Sequence, residues 1–231
     1  FIKALRTYER LGNRQQMGAV FINIGNIHLD RNQYEPAREY FRKALDIYRH
    51  LDNLEGVSNA LTDLGLADLN QQQPATAQRY FHEALALHEQ MDDKYGAGRV
   101  CNHLGAAYVA LGRTDSALVC LQKAQALGQL VGAPDIVMKS YEVRSKLYER
   151  MQNFAQSLQY YKRYTALKDS IYNIKKSEQM FTAEMNFKLE KERLEAEAKA
   201  RVEQAAKERR DRLIFGGVIL FVMLLFLTAI T

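Results

Sequence analysis

Apolar residues recur along this chain at intervals of three and four, not at the alternation of a strand, which predicts helices almost throughout and almost no β-sheet. The spacing predicts first helices over roughly 14–30, 54–70, 95–111 and 135–151. Second helices follow from near Pro36, Pro74, Asp115 and Phe154. Short polar breaks separate the pairs, among them Asp30-Arg31-Asn32-Gln33, Asn70-Gln71-Gln72-Gln73 and Gly112-Arg113-Thr114. Pro36 suits the first turn of a helix, where a missing N–H costs nothing.

The pattern also repeats. Gly25, Gly65 and Gly105 stand forty residues apart, and so do Ala37, Ala77 and Ala117. Phe41, Phe81 and Leu121 keep the interval, as do Ala44, Ala84 and Ala124. Phe1, Ala4, Leu5 and Tyr8 match Phe41, Ala44, Leu45 and Tyr48, so the chain is expected to open inside the second helix of a repeat. The expected units are a partial repeat over 1–13, repeats over 14–53, 54–93 and 94–133, and a degenerate copy over 134–170. In that last copy Ser145 takes the glycine slot and Tyr161 the phenylalanine slot. A glycine inside a helix costs about 1 kcal/mol against alanine. Three in one slot therefore imply a close approach by a partner helix, with the alanines as matching small faces and Phe41 and Phe81 as the knobs between them.

Phe21, Ile24, Gly25 and His28, followed by Ala37, Phe41 and Ala44, resemble the tetratricopeptide repeat. Leu61, Leu64, Gly65, Asp68, Ala77, Phe81 and Ala84 carry the same pattern, and so do Cys101, Leu104, Gly105, Tyr108, Ala117, Leu121 and Ala124. The resemblance covers about residues 1 to 170. It implies an all-α superhelix of antiparallel helix pairs that binds a protein or peptide on its concave face. The ordinary repeat has 34 residues; forty implies a variant with helices about a turn longer.

Beyond Tyr172 the period stops. Residues 171–212 read as a charged helical stalk in which Glu190, Glu192, Glu195 and Glu197 mix with Lys191, Arg193, Lys199 and Arg201 at i,i+4 spacing. Met180, Phe187 and Leu194 form one heptad row that Arg201 interrupts, so a weak coiled coil joining two copies and a single solvated helix both remain open. Leu213–Thr231 then gives nineteen residues without a charge, enough helix to cross roughly 28 Å of hydrocarbon. This predicts a single transmembrane helix. Arg209, Arg210 and Arg212 precede it and favour a cytoplasmic N-terminal side.

The order of repeats, charged helix and one span resembles bacterial membrane signalling proteins, above all the repeat-containing sensor histidine kinases of Bacteroidetes-type bacteria. Relatives in that group carry a nucleotide cyclase, a phosphatase or a DNA-binding output after the span. The resemblance implies a two-component sensor in the inner membrane, with its repeats outside the cytoplasm behind a cleaved leader. That conflicts with the arginine flank; on topology the reading follows the resemblance.

Charge and candidate chemistry narrow the function further. The net charge of +5 is spread as +3 over residues 1–171 and +2 over 172–212, with no basic patch that would grip nucleic acid. The two cysteines, Cys101 and Cys120, form no framework. His82 and His88 are six residues apart, not the four of a zinc helix, and are expected at the surface or edge. No catalytic, cofactor or metal site is expected, and binding remains. Asn26, Asn59, Thr62, Arg99 and Asn102, beside the glycine slot, are the candidate groove residues. The expected function is the sensor module of a single-span signalling protein with its output domain outside this chain; the alternative is a membrane-tethered scaffold.

Overall fold

The computed structural model describes the backbone of residues 2–230, and the side chains of residues 3, 5–174, 176, 177, 179–201, 204 and 216. It is all-helical among the described residues: α1 (Ile2–Arg10), α2 (Arg14–Asp30), α3 (Tyr34–His50), α4 (Leu54–Asn70), α5 (Pro74–Gln90), α6 (Lys94–Ala110), α7 (Thr114–Leu130), α8 (Pro134–Arg150) and α9 (Phe154–Ile230). Helices α2 to α8 each have 17 residues.

The turns explain this regularity. At Gly12, Asn32, Asp52, Gln72, Asp92, Gly112, Gly132 and Gln152 the backbone enters the left-handed region, with φ between 49° and 71°. Each ends a helix in a Schellman-type closure: Gln73 N–H, for example, donates to the Asp68 carbonyl at 2.8 Å and Arg113 N–H to that of Tyr108 at 2.9 Å. The next helix starts at once. Asn13, Asn53 and Asp93 cap α2, α4 and α6 by accepting from the N–H of Gln16, Gly56 and Gly96 at 3.1, 2.8 and 2.9 Å.

Consecutive helices pack as antiparallel hairpins, and the first helices of neighbouring hairpins also touch, α2 with α4, α4 with α6 and α6 with α8. The repeated slots form the seam. Ala37, Phe41, Ala44, Ala77, Phe81, Ala84, Ala117, Leu121 and Ala124 are wholly buried. A Cβ on Gly25 would collide with the Phe41 ring, one on Gly65 would lie 2.5 Å from Phe81 Cε1, and one on Gly105 2.6 Å from Leu121 Cδ2. The glycines are therefore sites of helix contact. Between hairpins, Arg38 Nη1 donates to buried Asp68 Oδ1 at 2.7 Å.

The last hairpin corrects one expectation. Ser145 does take the glycine slot; its Oγ donates to the Ser157 carbonyl at 3.1 Å, and Ser157 Oγ donates back to the Ser145 carbonyl at 3.0 Å. Tyr161, however, is 54% exposed and fills no core slot. Tyr160 packs instead, stacked on Tyr148 with ring centroids 5.5 Å apart and accepting from Arg144 Nη1 at 3.2 Å. The two serines take the room that glycine and alanine leave elsewhere, so no large knob is needed.

By its contacts the chain divides into two units, Phe1–Ile171 and Tyr172–Thr231. In the second unit large apolar side chains stand in solvent, Phe187 at 74% and Leu194 at 57%. Arg193 Nε donates to Glu197 at 2.9 Å, an i,i+4 pair. Among the described residues no helix is long and apolar enough to cross a membrane. The run expected to do so, Leu213–Thr231, lies outside the residues whose side chains are described, Gly216 excepted.

Candidate functional site: a polar groove on the first helices

Because the hairpins repeat every forty residues, side chains forty apart on the first helices come to lie side by side. Two such rows line the groove. One runs Ala19, Asn59 and Arg99, with Lys139 next in sequence register; the other runs Asn23 and Asp63, with His103 next. Along α2, α4 and α6 runs an open cavity of about 370 Å³ lined by Asn23, Asn26, Asn59, Asp63 and Arg99, with the apolar Ala19 and Ile22 beside them. The ring of Tyr48 also lines it, and lies against α4 where glycine at position 56 leaves no Cβ to obstruct it.

Asn26, Asn59 and Arg99 are thus brought together. Thr62 and Asn102 are not, and their assignment to the groove is corrected. Thr62 is 3% exposed and donates its hydroxyl to the Ser58 carbonyl at 2.8 Å. Asn102 is 2% exposed and donates through Nδ2 to the Ile136 carbonyl at 2.9 Å, bracing α6 against α8. Both share a slot with Ile22, which still lines the groove on α2, so the slot turns inward only from α4 onward and its residue types gave no sign of the change. Asn23 and Asp63 escaped the sequence reading. Their sign was a slot that stays polar through Asn23, Asp63 and His103.

The five lining side chains share one property. Among the described residues, none of Asn23, Asn26, Asn59, Asp63 and Arg99 makes a hydrogen bond or ion pair within the chain, although Asp63 and Arg99 feel one another's charge. The other recessed acids of the solenoid are answered: Asp68 by Arg38, Asp93 by His88, and Glu142 by Lys139 and Lys146.

Asp63 is surrounded by protein yet open on the groove side, and this burial pushes its carboxyl up to about 7, against the pull of the Arg99 guanidinium. His103, stacked on Phe81 with centroids 5.5 Å apart, is pushed down to about 4 by burial and by the nearby charges of Arg99 and Lys139. The imidazole is neutral at pH 7. The groove can therefore supply amides that both donate and accept, a guanidinium fork and a carboxylate acceptor.

His28, His88 and both thiols serve packing. His28 stacks on Tyr40 at 5.4 Å. His82 is exposed as expected, but His88 is buried, its Nδ1 2.8 Å from Asp93 Oδ2, because the turn after α5 folds Asp93 back over it. Burial pushes the Cys101 thiol up to about 12 and raises Cys120 as well.

A family model described as tetratricopeptide repeat matches residues 1–50 and 56–129. No curated protein matches the chain. Among solved structures it is similar to BtubC (BKLC) from P. vanneervenii, at 18% identity over 69% of this chain and 66% of that one, with a TM-score of 0.58. It is similar to a Rap protein complexed with Competence and Sporulation Factor, at 14% identity over 70% and 46%, TM-score 0.62. A third is the Signal Transduction ATPase with Numerous Domains PH0952 from Pyrococcus horikoshii, which has a tetratricopeptide repeat sensor, at 16% identity over 76% and 27%, TM-score 0.63. The chain spans less than two thirds of each of these proteins, and at such identities the likeness is one of fold.

Proposed function

Since the chain belongs to the tetratricopeptide repeat family, we propose that its groove binds an extended peptide or protein segment and that binding, not catalysis, is its activity. One observation carries this reading: five polar side chains on the first helices of three successive hairpins line one cavity and make no hydrogen bond or ion pair within the chain. A groove left this way is pre-organised for a ligand that brings its own amides and charges. The raised thiols of Cys101 and Cys120 favour binding over covalent chemistry. The Rap protein of the same fold, solved with Competence and Sporulation Factor, is in keeping with such a role.

On the wider architecture, we place the solenoid among the longer-helix variants of the family and read it as the sensor module of a single-span bacterial signalling protein, of the sensor histidine kinase type. Its support is the chain's own order: repeats, a helix free of glycine and proline from Phe154 to Arg212, then nineteen uncharged residues. In this reading Leu213–Thr231 crosses the inner membrane, the repeats lie outside the cytoplasm, and the exposed Phe187 and Leu194 meet a second copy.

The test uses the full chain and a bead-bound library of random octapeptides. Wild type enriches discrete sequences, and the double variant Asn59→Ala/Arg99→Ala, with unchanged thermal unfolding, loses them. Enrichment that survives the double variant rejects the groove.

A further inference from the structure

We infer that Asp63 is the specificity-determining residue of the groove and receives a lysine or arginine side chain of the bound peptide. This rests on the reading of the groove as a peptide site, and goes beyond it by naming the residue class the site selects.

Asp63 lies on α4, in a cavity completed by Asn23 and Asn26 from α2 and by Arg99 from α6. It is a recessed acid without a partner, in a solenoid that partners its other recessed acids. Asp68, at 1% exposure, has Arg38 at 2.7 Å; Glu142 has two lysines. The cations that could have served Asp63 are otherwise disposed. Arg99 forms no ion pair with it within 4.0 Å, Lys139 is taken by Glu142, and His103 is neutral.

A recessed carboxylate without a cation is held in an unfavourable state, and the group that relieves it most is a positive charge brought to its open side. That side is the groove. The fold does not require an acid here: the slot holds asparagine in the repeat before and histidine in the repeat after, whereas the wholly buried core slots hold only apolar residues such as Phe41, Phe81 and Leu121. Asn23, Asn26 and Asn59 flank the carboxylate with amides suited to the peptide groups on either side of a basic residue. Arg99, one helix further, suits a carbonyl or acidic group next along the ligand.

The experiment measures fluorescence anisotropy of the full chain with four labelled octapeptide pools. Their flanking positions are a fixed mixture of alanine, serine and asparagine, and the central residue is lysine, arginine, norleucine or glutamate. On wild type the lysine and arginine pools bind about tenfold tighter than norleucine, as a charged hydrogen bond gains over its neutral counterpart. Asp63→Asn brings that ratio close to one while the norleucine pool still binds; Asp63→Glu restores the preference. If all pools bind without a cation preference, or if the preference persists in Asp63→Asn, the assignment of Asp63 is wrong while the groove stands. If no pool binds wild type, the groove reading falls, and the role of Asp63 with it. Thermal unfolding of each variant checks folding, and Asp63→Asn is not expected to lower it.

Discussion

Residues 2–171 and the described residues from 172 on are both helical, yet their helices exist for different reasons. In the solenoid, Phe41, Phe81 and Leu121 are wholly buried and glycine stands where a helix partner needs room. Packing, not propensity, dictates those helices. In the second unit the described apolar side chains, Phe187 and Leu194 among them, remain in water, and that stretch of helix is sustained by good helix formers and by i,i+4 pairs such as Arg193 with Glu197. Identical secondary structure can thus rest on long-range contact in one region and on local preference in the next. A residue's weight depends on which of the two it serves.

The contrast can be broken most directly by deleting a knob. Phe81→Ala should lower the solenoid's unfolding free energy in urea by about 3–5 kcal/mol, since the side chain is wholly buried. A value near zero would mean that the seam is not what holds the hairpins. Arg38→Ala, which leaves Asp68 buried without its cation, should cost about 2–3 kcal/mol by the same measurement. Gly65→Ala comes next: overpacking against Phe81 costs about 1–3 kcal/mol, and alanine's helix preference returns about 1. A net loss identifies the glycine as a packing device; a net gain would show that the Phe81 ring yields.

The groove contributes less and is best read through pH, because its open side admits water. Asp63 has its carboxyl raised from 3.8 to about 7 in the fold. Between those values the folded chain binds more protons than the unfolded chain, so this group lowers stability as pH rises from 4 to 7. His103 is displaced from 6.5 to about 4, so over pH 4 to 6.5 the unfolded chain binds the extra proton and stability rises with pH. The two oppose one another. Relative to wild type, Asp63→Asn should steepen the rise in stability from pH 4.5 to 6.5, and His103→Gln should turn it toward a fall, both in urea titrations across that window. Smallest of all, Phe187→Ala in the second unit should change the solenoid's unfolding by less than about 0.5 kcal/mol, its ring being 74% exposed.

Much of the architecture was legible because the repeat is periodic in contacts as well as in sequence. The expected helices at 95–111 and 135–151 fall one residue late against Lys94–Ala110 and Pro134–Arg150. For α6 the difference is the cap: Asp93 accepts the Gly96 N–H and starts the helix at the next residue. The groove was half legible. Asn26, Asn59 and Arg99 were found by their neighbourhood to the glycine slot, but that neighbourhood also contains Thr62 and Asn102, which turn inward and hydrogen-bond backbone carbonyls. Asp63 reads in sequence as one more solvated acid on an amphipathic helix.

By itself the sequence determined the helices, their turns and the seam between them, because each depends on residue types at short or strictly periodic spacing: glycine opposite phenylalanine, asparagine or aspartate before a helix. Only the tertiary structure decided which polar residues are recessed, which are answered and which are left facing the groove. Those properties depend on how α2, α4 and α6 lie against one another, and burial and charge add up across helices forty residues apart.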